Sequence, residues 1–304
     1  MCKIREYIVL YLMLDRLGRK EDLLSLGVQQ SSIESEDIRR KAIADAITEM
    51  FFRYDADLRK NTGYAQGVGT VGIQGQHFGP ATLMFVPNLN KESVKAMYAL
   101  AAIGLPRVLR KMGTMGRFVR GALVKGFGWE IAEGRCRTLY GPVMAKAWNV
   151  LTERAYSPRI IIEEEIYKIV SDRSSYGPGR DGDWLPLYVK RDYDGQGIFD
   201  YLAYDEDSPS IRHDGRDVVV REMREMLHCI VQISSNWASH CSEHDSSASV
   251  RMLLALSDYV KDSLGAWTNE SGACIIEHAL AEGCEKGDAR HRSFVADSDS
   301  SPMI

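Results

Sequence analysis

The apolar positions of the chain fall into blocks. The first runs from Ile4 to Leu17 and carries Ile4, Tyr7, Ile8, Val9, Leu10, Tyr11, Leu12, Met13, Leu14 and Leu17, which on a helix would cover almost every face. A helix apolar all round must be buried, so this one is expected to insert into its own core, the plainer reading, or into a neighbouring subunit. A second helix is predicted from Ser35 to Arg59. Ser35 can cap it, Glu36 and Asp37 suit its first turn, and Ile38, Ala42, Ile43, Ala46, Ile47, Met50 and Phe51 recur at helical spacing. Residues 61–80 are Gly-rich and aperiodic, and read as a loop or irregular hairpin.

Further helices follow. Lys91 to Ile103 has Val94, Met97, Tyr98, Leu100 and Ala101 inward, with Gly104 as a stop and Pro106 as the start of the next helix. There Arg107, Arg110 and Lys111 share one face and Leu105, Val108, Leu109 and Met112 the other. After the Gly113 to Gly116 break, Arg117, Arg120 and Lys125 again stand opposite Phe118, Val119, Ala122 and Leu123, and a long helix is expected from Pro142 to Arg154. From Asp172 to Arg216 Gly, Pro, Asp and Tyr are dense and no period persists. Helices resume over 216–237, 248–264 and 272–284, before a polar end. The expected fold class is mainly α. The expected division is an arm (1–18), a lobe with a basic band (19–171), an inter-lobe segment (172–215), a second lobe (216–285) and a flexible tail (286–304).

Charge changes the picture. The formal net charge is only -4, yet Lys91 to Ile160 holds 13 Lys and Arg against 4 Asp and Glu. A phosphate backbone responds to the local field rather than to the sum. Aromatics (Tyr98, Phe118, Phe127, Trp129, Tyr140, Trp148) are interleaved with those cations, a combination that suits sequence-tolerant binding of single strands. The alternative is a solvated amphipathic face, or a scaffold whose band binds an acidic protein. The runs Glu163 to Glu165 and Asp205 to Asp207 read as solvated acidic faces. Six scattered cysteines read as free thiols of a reducing compartment. No signal peptide is expected, and the Tyr7 to Leu14 stretch is far short of the ~20 apolar residues of a membrane span.

Two motifs compete with the band. Gly67, Gly69 and Gly72 fit the dinucleotide fingerprint, but the required strand before and helix after are not expected there. His240, Glu243 and His244 fit the inverted zinc-protease pattern and support an alternative, a zinc-dependent hydrolase. Ser242, Asp245, Ser246 and Ser247 argue for a helix end instead, so neither a metal nor any other cofactor is expected.

Four short segments of the band resemble the nucleoproteins of segmented negative-strand RNA viruses of the phlebovirus and tenuivirus group. They are Ala99 to Gly104, Arg107 to Met112, Ala122 to Gly128 and Thr138-Leu139, and their order and spacing are similar to that family's. The resemblance covers roughly 60 residues. It departs at Ile103, where an Arg commonly stands. It implies a two-lobed helical protein with RNA in the cleft between lobes and an N-terminal helical arm docked on the next subunit. The expected function is therefore a non-enzymatic nucleoprotein that encapsidates single-stranded genomic RNA and polymerises. Arg107, Arg110, Lys111, Arg117, Arg120 and Lys125 would neutralise phosphates, with Arg135, Arg137 and Lys146 behind them. Expected partners are single-stranded RNA, further copies of the chain through the arm, and a viral polymerase. No membrane is expected, and the expected location is the virion and the host cytoplasm. The coat protein of a filamentous RNA virus is the nearest alternative.

Overall fold

The structure, a computed structural model, describes residues 3–14, 74–78, 81–114, 116, 118–133, 136–155, 158–172, 185–203, 215–240 and 246–268. The expected Ser35 to Arg59 helix, the Gly67 to Gly72 fingerprint, the 272–284 helix and the polar tail lie outside these residues.

An eight-stranded mixed sheet occupies the centre. Its strands are β1 (Lys3–Leu14), β2 (Gln74–Phe78), β3 (Ala81–Pro87), β4 (Val119–Glu133), β5 (Cys136–Tyr140), β6 (Ile160–Ile162), β7 (Val189–Arg191) and β8 (Gly197–Phe199). They run in the order β2-β3-β1-β4-β6-β8-β7, and β5 pairs with the far end of β4. Only β4 and β6 pair in parallel; the other neighbours are antiparallel. The described helices are α1 (Lys91–Gly113), α2 (Pro142–Glu153), α3 (Glu164–Val170), α4 (Arg216–His240) and α5 (Ser246–Thr268).

The segment expected as an apolar helical arm is β1, in the interior of the sheet between β3 and β4. From Tyr7 to Leu12 both of its faces are buried, so those residues are apolar without alternation. Ile8, Leu10 and Leu12 face one core, with α1, α4 and α5. Tyr7, Val9 and Tyr11 face the other, with α2. Aromatic and β-branched side chains suit such a strand. An all-apolar run fits a buried helix or a buried strand equally, which is why the helical expectation failed.

The mainly α, two-lobed expectation is thereby corrected to an α/β sheet with helices on both faces. Among the described residues the larger core is one cluster that runs from Ile8 through α1 to Trp267 on α5. Residues 185–203, expected within a linker, form a 3-10 turn (Leu185–Tyr188) and the strands β7 and β8.

In the basic band, α1 runs straight through Gly104 and Pro106. Pro106 removes one backbone donor, while Ala101, Ala102, Leu105, Val108 and Leu109 bury their side chains on the sheet and keep the helix whole. Asn90 caps it, accepting from the Ser93 N–H at 3.1 Å. The next expected helix, carrying Arg120 and Lys125, is strand β4. Helix α2 begins at Pro142 as expected, and α4 and α5 fall where helices were expected. None of the described helices is long and apolar enough to cross a membrane.

Candidate interaction surface

Along β1 and β4 the face under α1 runs out of cover. Ile8 is fully buried, yet Ile4, four residues earlier on the same face, is 75% exposed. On β4, Leu123 is buried, Lys125 is half-buried and Phe127 is 62% exposed. Trp129 lies beside Ile4 on one side and Tyr140 of β5 on the other, so their side chains project from the same face. Trp129, Tyr140 and Ile131 are 37%, 44% and 41% exposed. Five large apolar side chains therefore form one uncovered patch across three strands. A large aromatic side chain carries ~150–250 Å², so the patch leaves roughly 500 Å² open, the upper end of what a monomer shows.

The reverse side holds this ribbon rigid. The Arg5 guanidinium pairs with Glu130 at 2.9 Å, and the Tyr7 hydroxyl donates to the same carboxylate oxygen at 3.2 Å. Burial pushes the Tyr7 phenol above its ordinary range, partly offset by Arg5. A Cβ on Gly128 would stand 2.8 Å from the Tyr140 carbonyl and 3.1 Å from Val143, so only glycine lets β4, β5 and α2 approach so closely. Gly141, with φ +111°, turns the chain from β5 into α2 against the Trp129 ring.

Beside the patch, β4 loses its parallel partner after Leu123. The Glu163 carboxylate accepts from the Lys125 backbone N–H at 2.8 Å and pairs with Lys146, whose ammonium donates to the Lys125 carbonyl at 2.9 Å. Lys125 itself pairs with Glu165, which raises the ammonium above its usual range and lowers the carboxylate. In the acidic run expected as a solvated face, Glu164 and Glu165 are exposed, with Glu164 paired to Arg191 at 2.7 Å, while Glu163 is half-buried and caps the strand.

Among the described residues, the expected phosphate-binding side chains are spread over α1, α2 and β4. Arg107 is exposed on α1. Arg110 is buried with its Nε 2.9 Å from Glu222 of α4, and Lys111 meets the same carboxylate at 2.6 Å. Arg120 is half-buried on β4 and donates to the Ala155 carbonyl. Lys125 and Lys146 are paired as above, Arg137 lies on β5, and Arg117 and Arg135 fall outside the described residues. Among the interleaved aromatics, Tyr98 and Phe118 belong to the core. Trp148 packs edge-on to Tyr11 on the opposite face of the sheet, 6.5 Å between ring centres. Phe127, Trp129 and Tyr140 do come together. The period of two in Phe127, Trp129 and Ile131 was a strand signal that the helical reading passed over. Of the zinc motif only the backbone of His240, at the end of α4, is described; no group of three metal-ligating side chains occurs among the described residues.

No protein-family model matches the chain, and no curated protein does. Solved structures similar to it include adenylyl and guanylyl cyclases. Adenylyl cyclase CyaB from P. aeruginosa is 14% identical over 57% of this chain and 83% of that one, with a TM-score of 0.33. The guanylyl cyclase domain of the RhoGC fusion protein from Blastocladiella emersonii is 14% identical over 65% and 96%, with a TM-score of 0.37. A bacterial light-regulated adenylyl cyclase is 10% identical over 86% and 58%, also at 0.37. None of these is a viral nucleoprotein, and the sheet-centred fold is not the two-lobed helical one that the resemblance to the phlebovirus and tenuivirus group implied, so that resemblance is withdrawn. With it go the RNA-encapsidating function, the RNA and polymerase partners, and the coat-protein and zinc-hydrolase alternatives. The expectation of a non-enzyme rested on that resemblance and is withdrawn with it. Assembly through an exchanged N-terminal arm ends with the placement of β1 inside the sheet.

Proposed function

We propose that the chain is a self-associating α/β domain that pairs with a second copy through the open face of β1, β4 and β5. The observation that carries this is the patch of Ile4, Phe127, Trp129, Ile131 and Tyr140, uncovered on a ribbon that the Arg5–Glu130–Tyr7 contacts hold fixed. Apolar area of this size in water favours a covering partner. A standard interface takes about 800 Å² from each partner, which the patch and its polar rim together can supply. The rim carries both signs: Glu6 lies directly beside Phe127, and Lys125 precedes it on the same face. A twofold axis through the patch would lay like ring on like ring and acid near base, the self-complementary geometry of a closed dimer.

Sedimentation velocity across a concentration series tests the reading. The expected result is a dimer at micromolar concentration, converted to a monomer of unchanged circular dichroism by Phe127→Ser with Trp129→Ser. A wild-type monomer at high concentration, as when residues 15–73 of the same chain cover the face, would overturn it. A variant that stays dimeric would do the same. The names of the similar structures put ATP and GTP into the assay: incubating both preparations with each nucleotide and a divalent cation, and measuring cyclic product, asks whether pairing serves that chemistry.

A further inference from the structure

At the other end of the sheet a cavity of about 360 Å³ opens between the β7–β8 hairpin and α5. Its size lies within the small-molecule range of about 300–1,000 Å³. We infer that it binds a small organic cation with a flat or apolar body, independently of the pairing face.

The cavity's own cations are already engaged. Arg159 is buried and pairs with both Asp192 and Asp194. Lys190 holds Asp200 at 2.9 Å and stands 4.7 Å above the Tyr259 ring. Asp192, Asp194 and Asp200 thus hold these two cations before the mouth is reached. Asp258 and Asp262, one turn apart on α5, then line the mouth, and both residues are exposed. Asp258 also pairs with the half-buried Lys261 at 3.4 Å, which leaves the two carboxylates of the mouth facing one lysine. The field in the cavity is therefore negative, while Ile198 and Leu256 give it an apolar floor. Tyr193 and Tyr259 add two rings, and each already has a cation of the protein nearby, Arg159 at 5.9 Å and Lys190 at 4.7 Å. Rings that accept cations beside surplus carboxylates select an amidinium or ammonium over an anion of the same shape.

Three probes of one shape and different charge decide the matter: benzamidine, benzyl alcohol and benzoate, titrated calorimetrically into the full chain. Benzamidine is expected to bind, with the other two about tenfold weaker or worse. Asp258→Asn with Asp262→Asn should cut benzamidine affinity by about tenfold without moving Tm, because both residues are exposed. No benzamidine binding, equal binding of all three probes, or binding indifferent to the double substitution would each overturn the inference. Loss of the Phe127–Trp129 face leaves this test unchanged.

Discussion

The Glu163 side chain does for Lys125 what a neighbouring strand would have done: it accepts the backbone N–H of Lys125 at 2.8 Å where β6 has ended. The Glu163 N–H completes the step by donating to the Leu123 carbonyl at 2.9 Å. Glu163→Ala leaves that Lys125 donor and the Lys146 ammonium without this acceptor. A loss of about 1–3 kcal/mol is expected in urea denaturation. Glu163→Gln keeps an acceptor for the N–H and should lose less.

The Arg110–Glu222 pair is buried between α1 and α4, with Lys111 closing on the second oxygen. Removing one partner of such a pair costs about 3–5 kcal/mol, whereas replacing both with apolar side chains of similar size is close to neutral. Thermal unfolding of Glu222→Leu should therefore show a large fall in Tm, and Arg110→Met added to it should restore most of the loss.

Gly141 combines φ +111° with a Cβ position 2.7 Å from the Trp129 ring. Gly141→Ala adds backbone strain of about 1–3 kcal/mol and must displace the indole. Lower stability is expected, together with weaker self-association, measured on the same sample by sedimentation.

Alkaline pH should loosen the α5 side of the fold. Burial holds the Tyr201 phenol far above its ordinary range, with the charge of Asp200 adding to it, and burial raises Tyr259 in the same way. An unfolded tyrosine releases its proton near pH ~10, so above that pH the native state retains protons that the unfolded chain has lost. The stabilisation is complete below about pH 10 and declines as pH rises beyond it. Denaturant titrations at rising pH should show this fall, and Tyr201→Phe should flatten it.

The helices were legible where one face is wet. In α2, Val143, Ala147 and Leu151 are buried at helical spacing behind a leading proline, and the sequence shows that pattern plainly. The strands were not legible, for two different reasons. In β1 both faces are dry, which erases the alternation that marks a strand. In β4 the alternation survives in Phe127, Trp129 and Ile131, but the cations at Arg120 and Lys125 imitate a helical face. The partners that neutralise the band lie far away in sequence: Glu222 answers Arg110 and Lys111, and Glu163 and Glu165 answer Lys146 and Lys125. A local charge count cannot see them, and so ion pairs of the fold read as a surface for phosphate. The patch was half visible, since the rings were noticed while their common face depends on the register of β1, β4 and β5.

The place of β1 also bears on how the chain reaches its fold. A ribosome makes residues 3–14 before either of their sheet partners: one edge of that strand waits for residues 81–87 and the other for residues 119–130. Until then the apolar run of that twelve-residue strand, Tyr7 to Leu14, lacks both of its sheet partners. Closing such distant pairs is slow, and in the interval unpaired strand edges invite association between chains. Synthesis at about 5–20 residues per second keeps β1 waiting for several seconds, long enough for a holding chaperone to decide the yield of folded protein.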